Sequence, residues 1–268
     1  MADFHARYFS QALTRSVSFY VYLPLDADRN ANPEQFARPP KTVLLLHGYT
    51  GDAASWKLDT PIYSLAAKYN LALIMPDGEN SFYLDGEATG RQYGTFVGKE
   101  LPDFAHRAFG LSGKREDQFV AGISMGGFGA VHTGFAYPDA FAKIAAFSPA
   151  LIERRVAAMR PETAPDGVAN YEYYSLMFGQ PEALAESRNS PETLVKELVQ
   201  AGKPLPGLFL TIGTEDFLYE PNQEFRRFLT EQNVPFHYEE GPGTHSGDFW
   251  NARLEPAIRW MLDLPEQG

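Results

Sequence analysis

Short apolar runs recur along the chain, with room for a helix between most neighbours. Thr42-Val-Leu-Leu-Leu46, Leu71-Ala-Leu-Ile-Met75, Gln118-Phe-Val-Ala121, Phe141-Ala-Lys-Ile-Ala-Ala-Phe147 and Gly207-Leu-Phe-Leu-Thr-Ile212 read as buried strands. Ser16-Val-Ser-Phe-Tyr-Val-Tyr-Leu-Pro24 and Pro235-Phe-His-Tyr-Glu239 alternate instead, and both also read as strands. Helices are predicted at 62–68, from about 101 through 109 (residues 93–101 leading into it), at 128–137, 222–232 and 248–262, the fourth with Phe225, Phe228 and Leu229 on one face. Residues 25–40 are polar and proline-rich and read as a loop. Such alternation predicts an α/β fold: a mostly parallel central sheet with helices on both faces. Residues 148–206 lose the rhythm. They read as a small insertion covering one end of the sheet, within a single domain spanning 1–268.

One strand ends in Gly122-Ile-Ser-Met-Gly126, a G-x-S-x-G sequence, and a helix follows it. A sharp strand-to-helix turn lifts the central side chain above the sheet, and glycines flank it because a Cβ would collide with the neighbouring elements. Ser124 is then exposed for attack, with the Met125 N–H aimed at a developing oxyanion. The bland alternative is a glycine-rich turn that happens to carry a serine; the strand–helix context argues against it. His47-Gly48-Tyr49-Thr50-Gly51 follows another buried strand, so its backbone N–H groups are candidates for the second half of an oxyanion hole. Gly48 permits close approach of a ligand there. Trp56 and Phe82 are candidate pocket residues, as is Tyr83, although packing explains each ring equally well.

Composition narrows the partners. Lys and Arg total 23 against 34 Asp and Glu, a formal net charge of -11, which disfavours nucleic acid and anionic membranes. There is no cysteine, so disulfides, thiolate metal sites and cysteine nucleophiles are out. The first ten residues carry charges where a signal peptide needs an apolar core, and no apolar run reaches the ~18 residues of a membrane span. A cytoplasmic compartment is the expectation. No metal or nucleotide motif is present, so neither a metal nor another cofactor is expected. Whether the chain forms a homo-oligomer is left open.

A serine hydroxyl near neutral pH needs a base, and the base needs a carboxylate to fix its tautomer. Ser124, Asp216 and His245 each follow a strand and so point to the edge where open α/β sheets bind ligands. Their order, Ser…Asp…His, is that of the α/β hydrolases. Glu215 competes with Asp216, and Asp248 reads as a helix-capping carboxylate. Of six histidines, His245 alone stands in a glycine-flanked loop after a late strand. His5 is terminal, His47 lies in the oxyanion loop, His106 and His132 fall in helices, and His237 in a strand.

Taken together, Leu44-Leu-Leu-His-Gly-Tyr-Thr-Gly51, Met75-Pro-Asp-Gly78, Ser81-Phe-Tyr83, Glu100-Leu-Pro102, Gly122-Ile-Ser-Met-Gly-Gly127, Gly213-Thr-Glu-Asp216 and Gly241-Pro-Gly-Thr-His245 resemble the esterase D-like α/β hydrolases. The tributyrin esterase group is the nearest in pattern, with S-formylglutathione hydrolases and feruloyl or acetylxylan esterases as relatives. The resemblance runs from residue 16 to 262 and is weak only at 148–206. It implies Ser124 as nucleophile, Asp216 and His245 as its partners, and the N–H groups of Tyr49 and Met125 as the oxyanion hole. The implied activity is hydrolysis of short-chain acyl or aryl esters, with a small-molecule ester as partner. S-formylglutathione hydrolases carry cysteine where Gly51 stands, which weighs against that activity. A sugar O-acyl or feruloyl esterase, an acyl transferase and a non-catalytic binding protein of the same fold are the other readings.

Overall fold

In the computed structural model, which describes residues 2–265, eight strands form one sheet in the order β1-β2-β4-β3-β5-β6-β7-β8. These are β1 (Ala2–Ser10), β2 (Arg15–Leu23), β3 (Lys41–Leu46), β4 (Leu71–Pro76), β5 (Gln118–Ile123), β6 (Lys143–Phe147), β7 (Gly207–Gly213) and β8 (His237–Gly241). Strands β3 to β8 run parallel, while β1 pairs with β2, and β2 with β4, antiparallel. The helices of eight or more residues are α1 (Ile62–Tyr69), α2 (Leu101–Phe109), α3 (Met125–Ala136), α4 (Tyr171–Phe178), α5 (Pro191–Gln200), α6 (Tyr219–Glu231) and α7 (Gly247–Met261).

The two-residue period of a strand divides its side chains between two faces. In β3, Leu44 and Leu46 join the core beneath α3, while Val43 and Leu45 join the core beneath α1 and α7. Full burial on both faces is why these strands are continuous in apolar residues. Truncating one such side chain to alanine would cost about 2–5 kcal/mol. Among the described residues no helix is long and apolar enough to cross a membrane.

Strand β1 carries no signal that the apolar pattern exposes. Phe4 and Phe9 are 41% and 55% exposed, and polar residues alternate with them, because β1 is an edge strand wetted on much of its surface. A second difference concerns Asp248. Ser246 is the residue that precedes α7, and Asp248 lies in the helix's first turn, where a carboxylate favours the positive end of the helix dipole.

Between β6 and β7 the chain forms a short helix, Glu153–Ala157, then α4, a 3-10 turn and α5. Helix α4 starts where the Asn170 side chain accepts the Tyr173 N–H at 3.0 Å, so Tyr171, Tyr173 and Tyr174 lie on a helix. Ala150, Ile152, Arg155, Val168 and Tyr174 of this segment border a cavity that opens beside Ser124.

Candidate active site

Ser124 stands between β5 and α3 at φ 57° and ψ -116°, a strained conformation for a residue with a Cβ. Close packing enforces it. A Cβ on Gly122 would lie 1.9 Å from the Gly126 carbonyl oxygen, and one on Gly126 would lie 2.1 Å from that of Leu46. The elbow is further tied by Ser124 N–H to Phe147 O at 2.9 Å, and by Ala150 N–H to Ser124 O at 2.9 Å.

His245 meets this serine: its Nε2 lies 2.9 Å from Ser124 Oγ. Its Nδ1 lies 2.8 Å from Asp216 Oδ2 and 3.0 Å from Oδ1. An ionised carboxylate only accepts, so Nδ1 carries the proton and Nε2 accepts from the serine hydroxyl. The Asp216 side chain is wholly buried in this pair. Burial alone would push its carboxyl up. Hydrogen bonds from His245, the Leu218 N–H and Ser148, together with the charge of His245, outweigh that and hold it below the ordinary carboxylate value.

The competing carboxylates lie elsewhere. Glu215 accepts the Gly243 N–H and returns its own N–H to Gly243 O at 3.0 Å. With Thr214 N–H on Gly241 O at 2.9 Å, this stitches the loop after β7 to the loop after β8. Those ties are what carry His245 to Asp216.

Gly48 backs directly onto Ser124, since a Cβ built there would stand 3.6 Å from Ser124 Cβ. Tyr49 follows it, and Met125 opens α3, where the leading N–H groups of a helix have no intrahelical acceptor. Two cavities meet at Ser124. One, of about 220 Å³, is bordered by Tyr49, Phe82, Met125, Ile152 and Leu218. The other, of about 380 Å³, is bordered by Gly48, Trp56, Asp59, Trp250 and Asn251. Trp56 and Phe82 therefore fall on opposite sides of the serine. Tyr83 does not form a pocket wall. It is fully buried behind the site, donating its hydroxyl to His47 O at 3.0 Å.

Two aromatics with left-handed backbone, Phe82 (φ 54°) and Tyr83 (φ 57°), follow Ser81. The Ser81 hydroxyl donates to Gly78 O at 2.6 Å and accepts from Tyr83 N–H at 3.1 Å, which fixes this turn. No periodicity signals a strained pair of that kind. Ser148 and Trp250 are further residues of the site that pattern reading passes over; they follow β6 and open α7, away from any motif.

A serine, histidine and aspartate aligned at the carboxyl edge of a parallel sheet, with helices on both faces, define the class of the α/β hydrolases. Residues 10–261 match the Esterase family model, described as "Putative esterase", and the chain belongs to that family. It is 36% identical to an acetyl esterase of Caldicellulosiruptor saccharolyticus, over 99% of this chain and 100% of that protein. The fluorophosphonate-binding serine hydrolase FphF of Staphylococcus aureus, solved with substrate bound, superposes with a TM-score of 0.83 at 30% identity, covering 97% of this chain and 98% of that one. The S-formylglutathione hydrolase FrmB of the same organism gives a TM-score of 0.81 at 30% identity over the same shares. The protein is accordingly a serine hydrolase that acts on carboxylic esters.

Proposed function

We propose that Ser124, His245 and Asp216 form the catalytic triad of a carboxylesterase for short acyl groups. The observation that carries this reading is the unbroken line of contacts from Ser124 Oγ through the imidazole to Asp216, at 2.9 and 2.8 Å. His245 takes the serine proton as Oγ attacks the ester carbonyl. The N–H groups of Tyr49 and Met125 hold the oxyanion of the tetrahedral intermediate. The imidazolium then protonates the leaving alcohol, leaving an acyl-Ser124 that water attacks by the same route in reverse.

The smaller cavity, apolar and below the roughly 300 Å³ at which ligand pockets usually begin, suits the acyl chain. The larger one, edged by Asp59, Thr60 and Asn251, suits the alcohol. The segment 148–206, within one domain, acts as the cover of the acyl side. The acetyl esterase relative supports a small acyl group. A thioester of the S-formylglutathione kind is the second reading, favoured by the FrmB likeness. A Cβ on Gly51 would stand 2.9 Å from Ser55 Oγ, so the cysteine of that group does not fit here without movement of Ser55. The expected compartment is the cytoplasm.

The test is Ser124→Ala. A folded protein with turnover of aryl acetate at background is the expected result, a loss on the order of a millionfold. Substantial activity in highly purified variant would overturn the assignment.

A further inference from the structure

We propose that Ser148, oriented by Trp250, is a positioning residue that aims and holds the Asp216 carboxylate for its work on His245. The inference rests on the triad reading above and extends it by one layer.

Ser148 is fully buried and sits at φ 43°, immediately before Pro149. A residue ahead of proline is pushed toward extended backbone, and a side chain at positive φ is strained in its own right. Nothing about a simple turn requires a serine there; glycine would be easier. Its N–H donates to Thr211 O at 2.8 Å, which anchors it to β7, the strand that delivers Asp216. The same turn braces the nucleophile, since Ala150 N–H donates to Ser124 O.

The hydroxyl has a defined polarity. Trp250 Nε1 lies 3.0 Å from Ser148 Oγ. An indole N–H can only donate, so Ser148 must accept with a lone pair, and its single proton is left for another acceptor. Because Ser148 is fully buried, we assign that proton to the Asp216 carboxylate, whose ionised form Ser148 helps to hold. The Trp250 ring meanwhile stands edge-on to the His245 imidazole, with centroids 4.9 Å apart and planes at 88°. One side chain thus sets the serine's proton direction and buttresses the base. The carboxylate, both of whose oxygens lie within 3.0 Å of His245 Nδ1, also receives the Leu218 N–H on Oδ1 and is held ionised with help from Ser148.

The experiment compares Ser148→Ala, Ser148→Gly and Trp250→Phe by kcat, KM and pH–rate profile on one aryl acetate, with Ser124→Ala and Asp216→Asn as references. Alanine removes the hydroxyl but keeps the strain, whereas glycine removes both. Both should lower kcat on the order of 10- to 100-fold, the worth of one hydrogen bond to a charged group, with KM little changed. A carboxylate with one donor fewer holds the protonated imidazole more tightly, so the acid limb should move to higher pH. Trp250→Phe keeps the ring but loses the N–H, and should give a smaller shift of the limb in the same direction. Trp250 borders the larger cavity, so its variant is read by the limb and not by KM. Besides Asp216, the charged groups on the two cavities that His245 borders are Arg155 and Asp59, and none of these variants alters them.

If Ser148→Gly matches the unaltered enzyme in kcat and acid limb, or changes KM alone, the positioning role is wrong and Ser148 is only a strained turn. Because glycine suits the backbone, that variant answers even if the alanine form fails to fold. Turnover surviving in Ser124→Ala would bring down the triad itself; an inactive Ser124→Ala with unaffected Ser148 variants would bring down only the positioning role.

Discussion

His47 grips Gly78 through its ring: Nε2 accepts the Gly78 N–H at 2.9 Å, while Nδ1 donates to the Gly48 carbonyl at 2.8 Å. The backbone N–H can only donate, so the tautomer is fixed with its proton on Nδ1. At 1% exposure His47 is closed off from solvent and joins the loop carrying Tyr49 to the turn after β4. This histidine is a structural tie for the proposed oxyanion loop and not a base.

Replacing it should loosen that loop. In His47→Ala the Gly78 N–H is left buried and unpaired, at a cost of about 1–3 kcal/mol. The Tyr49 N–H also loses its fixed aim. We expect kcat to fall by about 10²-fold, near the loss of one oxyanion donor, with a smaller change in KM and a lower Tm. Steady-state kinetics beside a thermal melt checks both; an unchanged kcat in a destabilised protein would show that the loop holds its shape without the ring.

Asp216→Asn should cost far more activity than Asp248→Asn. An amide opposite Nδ1 presents an N–H and favours the wrong imidazole tautomer, a loss of roughly 10⁴-fold in a serine protease. Asp248 lies in the first turn of α7, and its neutralisation should cost only a few tenths of a kcal/mol of helix stability. Parallel kcat/KM measurements decide this, and a reversed order would move the acid to Asp248.

The architecture was legible because burial on both faces writes itself as continuous apolar runs, and β3 to β7 all carry one. That Ser124, Asp216 and His245 come together was legible for a related reason: each follows a strand, so chain order translates into position at one edge. Strand β1 was not legible, since an edge strand with half-wet aromatics such as Phe4 and Phe9 has no apolar run to show. Between wall and core for Tyr83 the sequence does not choose, because only packing reveals that its ring fills the space left by Gly78 and Gly129. Ser148 was invisible for the same reason. Its place depends on an indole more than 100 residues away.

Glu153 should make stability depend on pH. It is 4% exposed, its Oε2 has no hydrogen-bond partner among the described residues, and burial pushes its carboxyl up to about 7, with Glu192 and Glu224 reinforcing and Arg154 opposing. Unfolded, the group releases its proton near pH ~4.3. Between those values the native state holds the extra proton, so this contribution is full at low pH and is lost as pH rises through about 7. The swing is on the order of 3 kcal/mol. His132, held neutral by burial with its pKa lowered to about 4, slopes the opposite way at lower pH, so the comparison is made between variants. Measured in urea, the stability of Glu153→Gln relative to the unaltered protein should be distinctly greater at pH 8 than at pH 5. Parallel midpoints at both pH values would mean that the carboxyl finds a partner when ionised.

The proposed acyl cavity yields the last prediction. Its buried walls include Phe82, Met125, Ile152 and Leu218, each at most 5% exposed and so held by packing, while Val168 and Phe217 line it from the exposed side. Phe82 is wedged against Phe178, with ring centroids 4.7 Å apart, and against Phe128 at 5.6 Å, so this aromatic wall is held in place. Each methylene that fits should contribute up to ~0.8 kcal/mol, and one that does not should cost ~1–3 kcal/mol. We therefore expect kcat/KM to peak between acetyl and butyryl and to fall steeply by octanoyl. Ile152→Ala should move the peak toward longer acyl chains. Asn251→Ala, on the far side of Ser124, should change the preference among alcohols and leave the acyl profile in place. If Asn251→Ala moved the acyl peak and Ile152→Ala did not, the two cavities would have exchanged roles, with the larger one taking the acyl chain. A flat profile out to octanoyl in the unaltered enzyme would mean that the aromatic wall yields, and the short-chain reading would fall with it.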